Sequence, residues 1–354
     1  MTAIKSKVRD SNMELLRIVA MILVMVVHAN FRAMHFPTGY DLAISPSSVF
    51  LRYFTESLSI ICVNVFVLLS GWYGIHFKIS RLLEFIFQVM FFSIVIFALF
   101  FILAKPDMSI AVALKKVFLL GQWDYWFVKA YLVLYLFSPI LNAFVEKVGR
   151  KELELFLLMF FAFEVIFGWL YEGVDWFMKG FSPISFMGLY LLARYVKLYR
   201  PKWSNLDRKA DIAIYLILAL VNTYFAIRLT AHPLAHSGIN KYSLFSYLSP
   251  LVIVQAVFFL LFFSKLSFKS KAVNWIAASA FAIYLVHSNS FVSKPYYDNL
   301  IAGWFSAFDT LPFLAYTACW IILVFCISIL ADKVRIWIWE FISPTLQKLD
   351  KERS

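Results

Sequence analysis

The chain has 354 residues, of which 62% are hydrophobic, 19% aromatic and 15% charged, with a net charge of +12. A soluble domain is closer to half apolar and a quarter charged, which excludes one large soluble core or two such domains. The apolar residues fall in blocks of about twenty between short charged stretches, as bilayer-spanning helices do; spanning strands would alternate strictly, and FIFQVMFFSIVIFALFFIL (85–103) does not.

The expected fold is therefore all-α: a polytopic integral membrane protein with about ten transmembrane helices, forming a single membrane domain. In chain order they are placed at 13–33, 50–71, 82–104, 125–145, 153–171, 181–199, 211–230, 243–263, 272–290 and 311–330. With both termini cytoplasmic, Lys and Arg on the inner side outnumber those on the outer side roughly two to one, in keeping with the positive-inside rule. That distribution explains the basic charge without nucleic acid. The first segment runs on too long for a signal peptide, and no small-residue cleavage site follows it. Cys62, Cys319 and Cys326 lie inside apolar runs and form neither a metal spacing nor a disulfide framework. After 330, DKVRIWIWEFISPTLQKL reads as an amphipathic helix in a cytoplasmic interfacial tail, 331–354.

The first helix, ELLRIVAMILVMVVHAN (14–30), carries three groups that are costly in a membrane, and each marks a functional hypothesis. Arg17 and His28 are eleven residues apart, three turns plus about 20°, so they share a face about 16 Å apart along the axis. Glu14, one turn before Arg17, can pair with it. Counting residues from the helix ends puts Arg194, on the sixth helix, in the same inner layer as Arg17. His287, on the ninth, falls in the same outer layer as His28, with Glu56 and Lys129. A pore with cations at its inner mouth and titratable groups further out is expected. The plain alternative for Arg17, Arg194 and Lys129 is snorkelling to lipid phosphate. For His28 and His287 it is a neutral structural histidine. Asn64, Ser70 and Gln88 are expected as interhelical hydrogen-bond partners.

Arginine, ten residues, then histidine on an N-terminal membrane helix resembles the signature of the membrane-bound acyltransferase-3 family. VNVFVLLSGWY (63–73), YWFVKAYLVLYLFSPILN (125–142) and FAIYLVHSN (281–289) resemble further family elements in the family's order. The resemblance implies an O-acyltransferase of the short, membrane-only subgroup, in a bacterial inner membrane. Its co-substrate would be acetyl-CoA or another acyl-CoA, with no metal. Its acceptor would be a surface polysaccharide or a lipid-linked carbohydrate. The stretch after the second helix has only Lys78 and Arg81, sparser than the arginine cluster of some members.

On that footing His28 is the expected general base, with a covalent acyl-histidine as the variant. Glu56, if near, would orient its imidazole. Arg17, Glu14 and Arg194 would serve the donor's phosphates. His287, Lys129 and Tyr125 are candidates for oxyanion or acceptor contacts, and Trp123, Trp126, Trp304 and Tyr296 for stacking on sugar faces. Two rival classes stay open. A flippase of a lipid-linked saccharide would show helices interrupted near mid-membrane, and no Gly or Pro interruption is visible: Pro139, Pro183 and Pro250 read as near helix ends. A sensor or scaffold without chemistry would not need Arg17 and His28 on one face.

Overall fold

The computed structural model describes residues 10–104, 110–118, 125–171, 176–234 and 239–351. Among them every regular element is helical. Helix α1 (Ser11–Val27) continues into a π-helical turn, His28–Arg32. A short α2 (Gly39–Ile44) starts at a reciprocal cap: Thr38 accepts from the Asp41 amide and Asp41 from the Thr38 amide. Then come α3 (Pro46–Ser59), α4 (Cys62–Tyr73), α5 (Ile79–Ala104), α6 (Ile110–Val117), α7 (Trp126–Lys147) and α8 (Arg150–Glu164). Helices α9 (Pro183–Tyr199), α10 (Arg208–Ala231), α11 (Pro250–Ser264), α12 (Lys271–Ala277), α13 (Ala280–His287), α14 (Asn299–Ala307) and α15 (Thr310–Lys351) complete the chain.

Among the described residues eight helical stretches are long and apolar enough to cross a membrane, and the protein is a multi-pass membrane protein. Two expected spans have a different form. The sixth is α9, whose 17 residues extend about 25 Å, slightly less than a hydrocarbon core. The ninth is broken into α12 and α13 by a non-helical Ser279. The second span is likewise broken, at Ile60–Ile61 between α3 and α4. Neither break contains Gly or Pro, so two interruptions exist where the sequence showed none. Pro139 also departs from its expected place near a helix end: it lies well inside α7. The tenth span does not stop near 330. Helix α15 runs unbroken from Thr310 to Lys351, so the expected separate tail helix is its continuation. That piece is not wholly interfacial either. Arg335 is buried and bonds Asp332, which also accepts from Gln88 of α5.

Burial sorts the helices into a centre and a ring. The stretches at 46–73 and 243–264 are 72% buried, against 17–28% for those of α5, α7, α8, α10 and α15. Helix α1 is central, packed against α3, α4, α11, α12 and α13. In lipid no hydrophobic drive separates helix from tail, so close packing and interhelical hydrogen bonds must hold the bundle. Gly71 of the SGWY segment shows the first. A Cβ there would lie 2.4 Å from the Tyr190 carbonyl oxygen, so only glycine lets α4 and α9 approach this closely. The expected polar partners show the second. Asn64 donates to the Tyr247 carbonyl, Ser70 pairs with Tyr131, and Gln88 donates to Asp332.

Candidate active site

Two cavities carrying ionisable side chains flank α1, called inner for the one at its Ser11 end and outer for the one at its His28 end, and a narrow waist lies between them. The inner cavity, about 640 Å³, is lined by Asp10, Glu14, Arg17, Tyr73, His76 and Arg81, with Phe66, Phe127 and Phe281 at its inward end. The outer cavity, about 600 Å³, is lined by His28, Arg32, Glu56, Tyr125, Trp126 and Tyr284 among others. A space of only about 30 Å³ shares His28, Trp126 and Tyr284 with the outer cavity and Phe66, Phe127 and Phe281 with the inner one. Its remaining wall includes Met21, Val24, Cys62 and Val63. His28 thus stands where the waist meets the outer cavity.

The inner cavity is a place of charge. Arg17 donates to Glu14 at 2.6 Å, the pairing expected one turn apart. Glu14 thereby fixes the position of the Arg17 guanidinium on the cavity wall. Tyr73 donates to Asp10 at 2.9 Å. Arg194 does not line the cavity but stands directly behind its wall. Its Nη1 lies 3.0 Å from where a Cβ on Gly74 would be, and that glycine has φ +73°. The turn after α4 is clamped by Tyr135 and Asn142 of the 125–142 segment and by Tyr190 of α9. Tyr190 donates to Asn142 at 2.6 Å and accepts from the Ile75 amide, Asn142 donates to the Ile75 carbonyl, and Tyr135 bonds both backbone groups of Lys78.

The outer end is a place of fixed geometry. His28 Nδ1 is 2.9 Å from His287 Nε2, and His287 Nδ1 is 2.5 Å from the Ile283 carbonyl oxygen. A carbonyl oxygen only accepts, so His287 carries its proton on Nδ1. With both rings neutral, His287 Nε2 is then an acceptor and His28 Nδ1 the donor. That leaves the lone pair of His28 on Nε2, the nitrogen a general base uses. Ser288 Oγ adds a 3.3 Å contact to His287 Nε2. The π turn that begins at His28 is itself a feature frequent at functional sites.

Sequence reasoning brought the two imidazoles to one layer, and the structure brings them into contact. It gives Glu56 a different role from the one expected. Glu56 lines the outer cavity, but its carboxylate accepts from Asn30 at 2.9 Å, and His287 is the group that orients His28. Tyr125 lines the cavity from a left-handed position at the start of α7. Its hydroxyl donates to the Leu285 carbonyl and accepts from Asn289, so it fixes the end of α13. Trp126 faces the cavity, packed edge-on against Phe181 with ring centroids 4.4 Å apart. Lys129 lines neither cavity. Trp304 packs instead on Tyr316 and Trp320, Tyr296 is exposed, and Trp123 lies outside the described residues.

Sequence reasoning missed several groups here. Arg32, four residues after His28, lines the outer cavity and holds Asp298 at 2.8 Å. Burial pushes the Asp298 carboxyl up from the ordinary aspartate range, against the opposing pull of Arg32. Trp169 adds a second indole, tied by Nε1 to the Ser243 carbonyl. The spacing HANFR carried the signal for Arg32, but it reads equally as a charge at a helix end. Among the described residues no cluster of His, Cys, Asp or Glu could hold a metal ion.

Comparison with known protein families matches residues 10–333 to the acyltransferase-3 model, described as an acyltransferase domain. No curated protein and no solved structure matches the chain.

Proposed function

The chain belongs to the acyltransferase-3 family, and from that membership we propose that it moves an acyl group, in the first instance acetyl, from cytoplasmic acyl-CoA to a carbohydrate hydroxyl. The acceptor is a surface polysaccharide or a lipid-linked saccharide, and the setting is a bacterial inner membrane with both termini in the cytoplasm. One observation carries the reading: His28, its tautomer set by His287, stands at the waist between the two cavities, on the same helix as Arg17.

The donor's phosphates occupy the inner cavity near Arg17, with Arg81 of the sparse basic stretch after the second helix and His76, which the sequence pattern did not single out, as neighbours. Its pantetheine arm is a thin chain that threads the waist, which must widen from about 30 Å³ to admit it. The helical rise between Arg17 and His28 is about 16 Å, a span that an extended arm covers. The acceptor enters the outer cavity, where Trp126 and Trp169 offer faces to a sugar ring.

His28 Nε2 takes the proton of the acceptor hydroxyl as its oxygen attacks the thioester carbonyl. The tetrahedral intermediate collapses, the carbon–sulfur bond breaks, and His28 returns the proton to the departing thiolate. Donation from His28 Nδ1 to His287 stabilises the imidazolium formed in between. Tyr284, which borders both the waist and the outer cavity, is our candidate donor to the oxyanion.

A second reading is favoured by the breaks at Ile60–Ile61 and Ala278–Ser279. Discontinuous helices near mid-membrane are characteristic of transporters, here of a lipid-linked saccharide. Mass spectrometry of surface glycans separates the two. Acyl transfer requires loss of an acyl mass in a strain lacking the chain, and the same loss with His28→Ala at normal membrane level. Glycans that keep the acyl group in the His28→Ala strain would reject the base assignment. Failure of the purified protein to transfer label from acyl-CoA would favour transport.

A further inference from the structure

A third space, about 230 Å³, lies on the side of α1 away from the outer cavity, between α1, α3, α14 and α15. The π turn separates the two: His28, Phe31 and Arg32 face the outer cavity, while Ala29 and Asn30 face this lateral groove. Its walls are mostly apolar, with Phe305, Phe313, Leu314 and Ile321 prominent. Ser48 and Thr310, near the starts of α3 and α15, mark one common end.

The groove also holds three buried polar atoms without a hydrogen-bond partner among the described residues: Arg52 Nε, Asn30 Oδ1 and Thr317 Oγ1. Their side chains belong to residues only 8%, 4% and 8% exposed. The Asn30 assignment is firm, because its Nδ2 faces two acceptors, the Arg52 carbonyl and Glu56. Arg52 gives Nη2 to the carbonyls of Met34 and His35, and its guanidinium lies 5.1 Å from the Phe305 ring centroid. Among the described residues it has no ion pair within 4 Å, and the carboxylates of Asp41 and Glu56 act on it only from longer range. A buried cation and buried hydrogen-bonding atoms left unmatched are costly in an apolar wall, so the groove is chemically complete only with an occupant.

We propose that the groove seats the headgroup end of an anionic membrane lipid. A phosphate oxygen accepts from Arg52 Nε, and a headgroup hydroxyl donates to Asn30 Oδ1. The hydrocarbon chain lies along the aromatic and aliphatic wall. Depth agrees with this. Arg52 lies four residues, about 6 Å, from Ser48, and Thr317 seven residues, about 10 Å, from Thr310. That is near the boundary between headgroups and hydrocarbon. Volume agrees as well, since a water takes about 30 Å³ and the groove is several times larger. The charge selects for phosphate, and the orphaned Asn30 acceptor selects for a hydroxyl-bearing headgroup, as in phosphatidylglycerol. Through Asn30 the seated lipid is one hydrogen bond from Glu56 in the outer cavity wall.

The test uses the full chain in nanodiscs of equal parts phosphatidylglycerol and phosphatidylcholine, with retained lipid read by native mass spectrometry. The wild type should keep one phosphatidylglycerol. Ala318→Trp, which fills the groove from its exposed rim, should reduce retention about tenfold. Arg52→Gln should lose the preference between the two lipids. Equal retention of both lipids by the wild type, no retained lipid, or unchanged retention in Ala318→Trp would each overturn the proposal. If Arg52→Gln fails to fold, the wild-type preference and Ala318→Trp decide alone.

Discussion

The two cavities use opposite means to fix their polar groups. At the inner cavity, Arg17 is about one-third exposed and held by a single carboxylate one turn away. At the outer end, His28 is held ring to ring by a fully buried histidine that is itself locked to a backbone carbonyl. A partly exposed cation with one carboxylate partner suits the charged, flexible donor proposed above. A base must present one particular nitrogen to a reacting proton, and only a chain of directed hydrogen bonds specifies which one.

This contrast can be broken most sharply at the outer end. His28→Ala should lower turnover by about 10²- to 10⁴-fold, the range for losing a general base, with normal protein in the membrane. Acyl transfer from labelled acyl-CoA by purified protein measures it. His287→Ala should cost less, about 10²-fold, through kcat. His287→Gln should recover part of that loss, because its amide oxygen can accept from His28 Nδ1. Equal activity of the Ala and Gln variants would mean that His287 only fills space.

The inner end should respond differently. Arg17→Ala should raise KM for the donor about 10- to 100-fold with little change in kcat, as expected for losing a hydrogen bond to a charged group. A fall in kcat without a rise in KM would erase the distinction between the cavities. The smallest expected effect lies outside both, at α2. There, hydrogen bonds from Thr38 hold the Asp41 carboxyl below its ordinary range. A lowered carboxylate pKa adds stability above the unfolded value, and that stability is lost as pH falls through the folded one. Thr38→Ala should cost about 1 kcal/mol locally, seen as roughly fivefold faster hydrogen exchange in α2 near neutral pH. The wild type's protection factor there should fall toward the variant's as the pH is lowered.

Much of this arrangement was legible because helical periodicity is a local property. The shared face of Arg17 and His28 follows from their spacing, and the level of His287 from counting residues along its span. Contacts between helices were not legible. Nothing in the spacing says that His287 rather than Glu56 meets His28, since a small rotation of either helix decides it. The breaks at Ile60–Ile61 and Ala278–Ser279 were invisible because IICV and AASA contain no Gly or Pro; tertiary packing imposes them. Tyr125 read as a candidate for oxyanion or acceptor contacts, yet its hydroxyl is spent on the backbone of α13 and on Asn289. Arg335 read as interfacial because the tail alternates charge with tryptophan, whereas Asp332 and Gln88 draw it inside.

The π turn at His28–Arg32 makes residue count, as well as residue identity, part of the outer cavity's design. A regular helix advances about 100° per residue, and the wider turn absorbs roughly one surplus position. Excising a single amino acid there would rephase Arg32 relative to His28 by about that angle and draw it away from Asp298, although almost every side chain of the wall would survive. Substitution scans leave such a dependence unseen; a one-codon deletion would expose it.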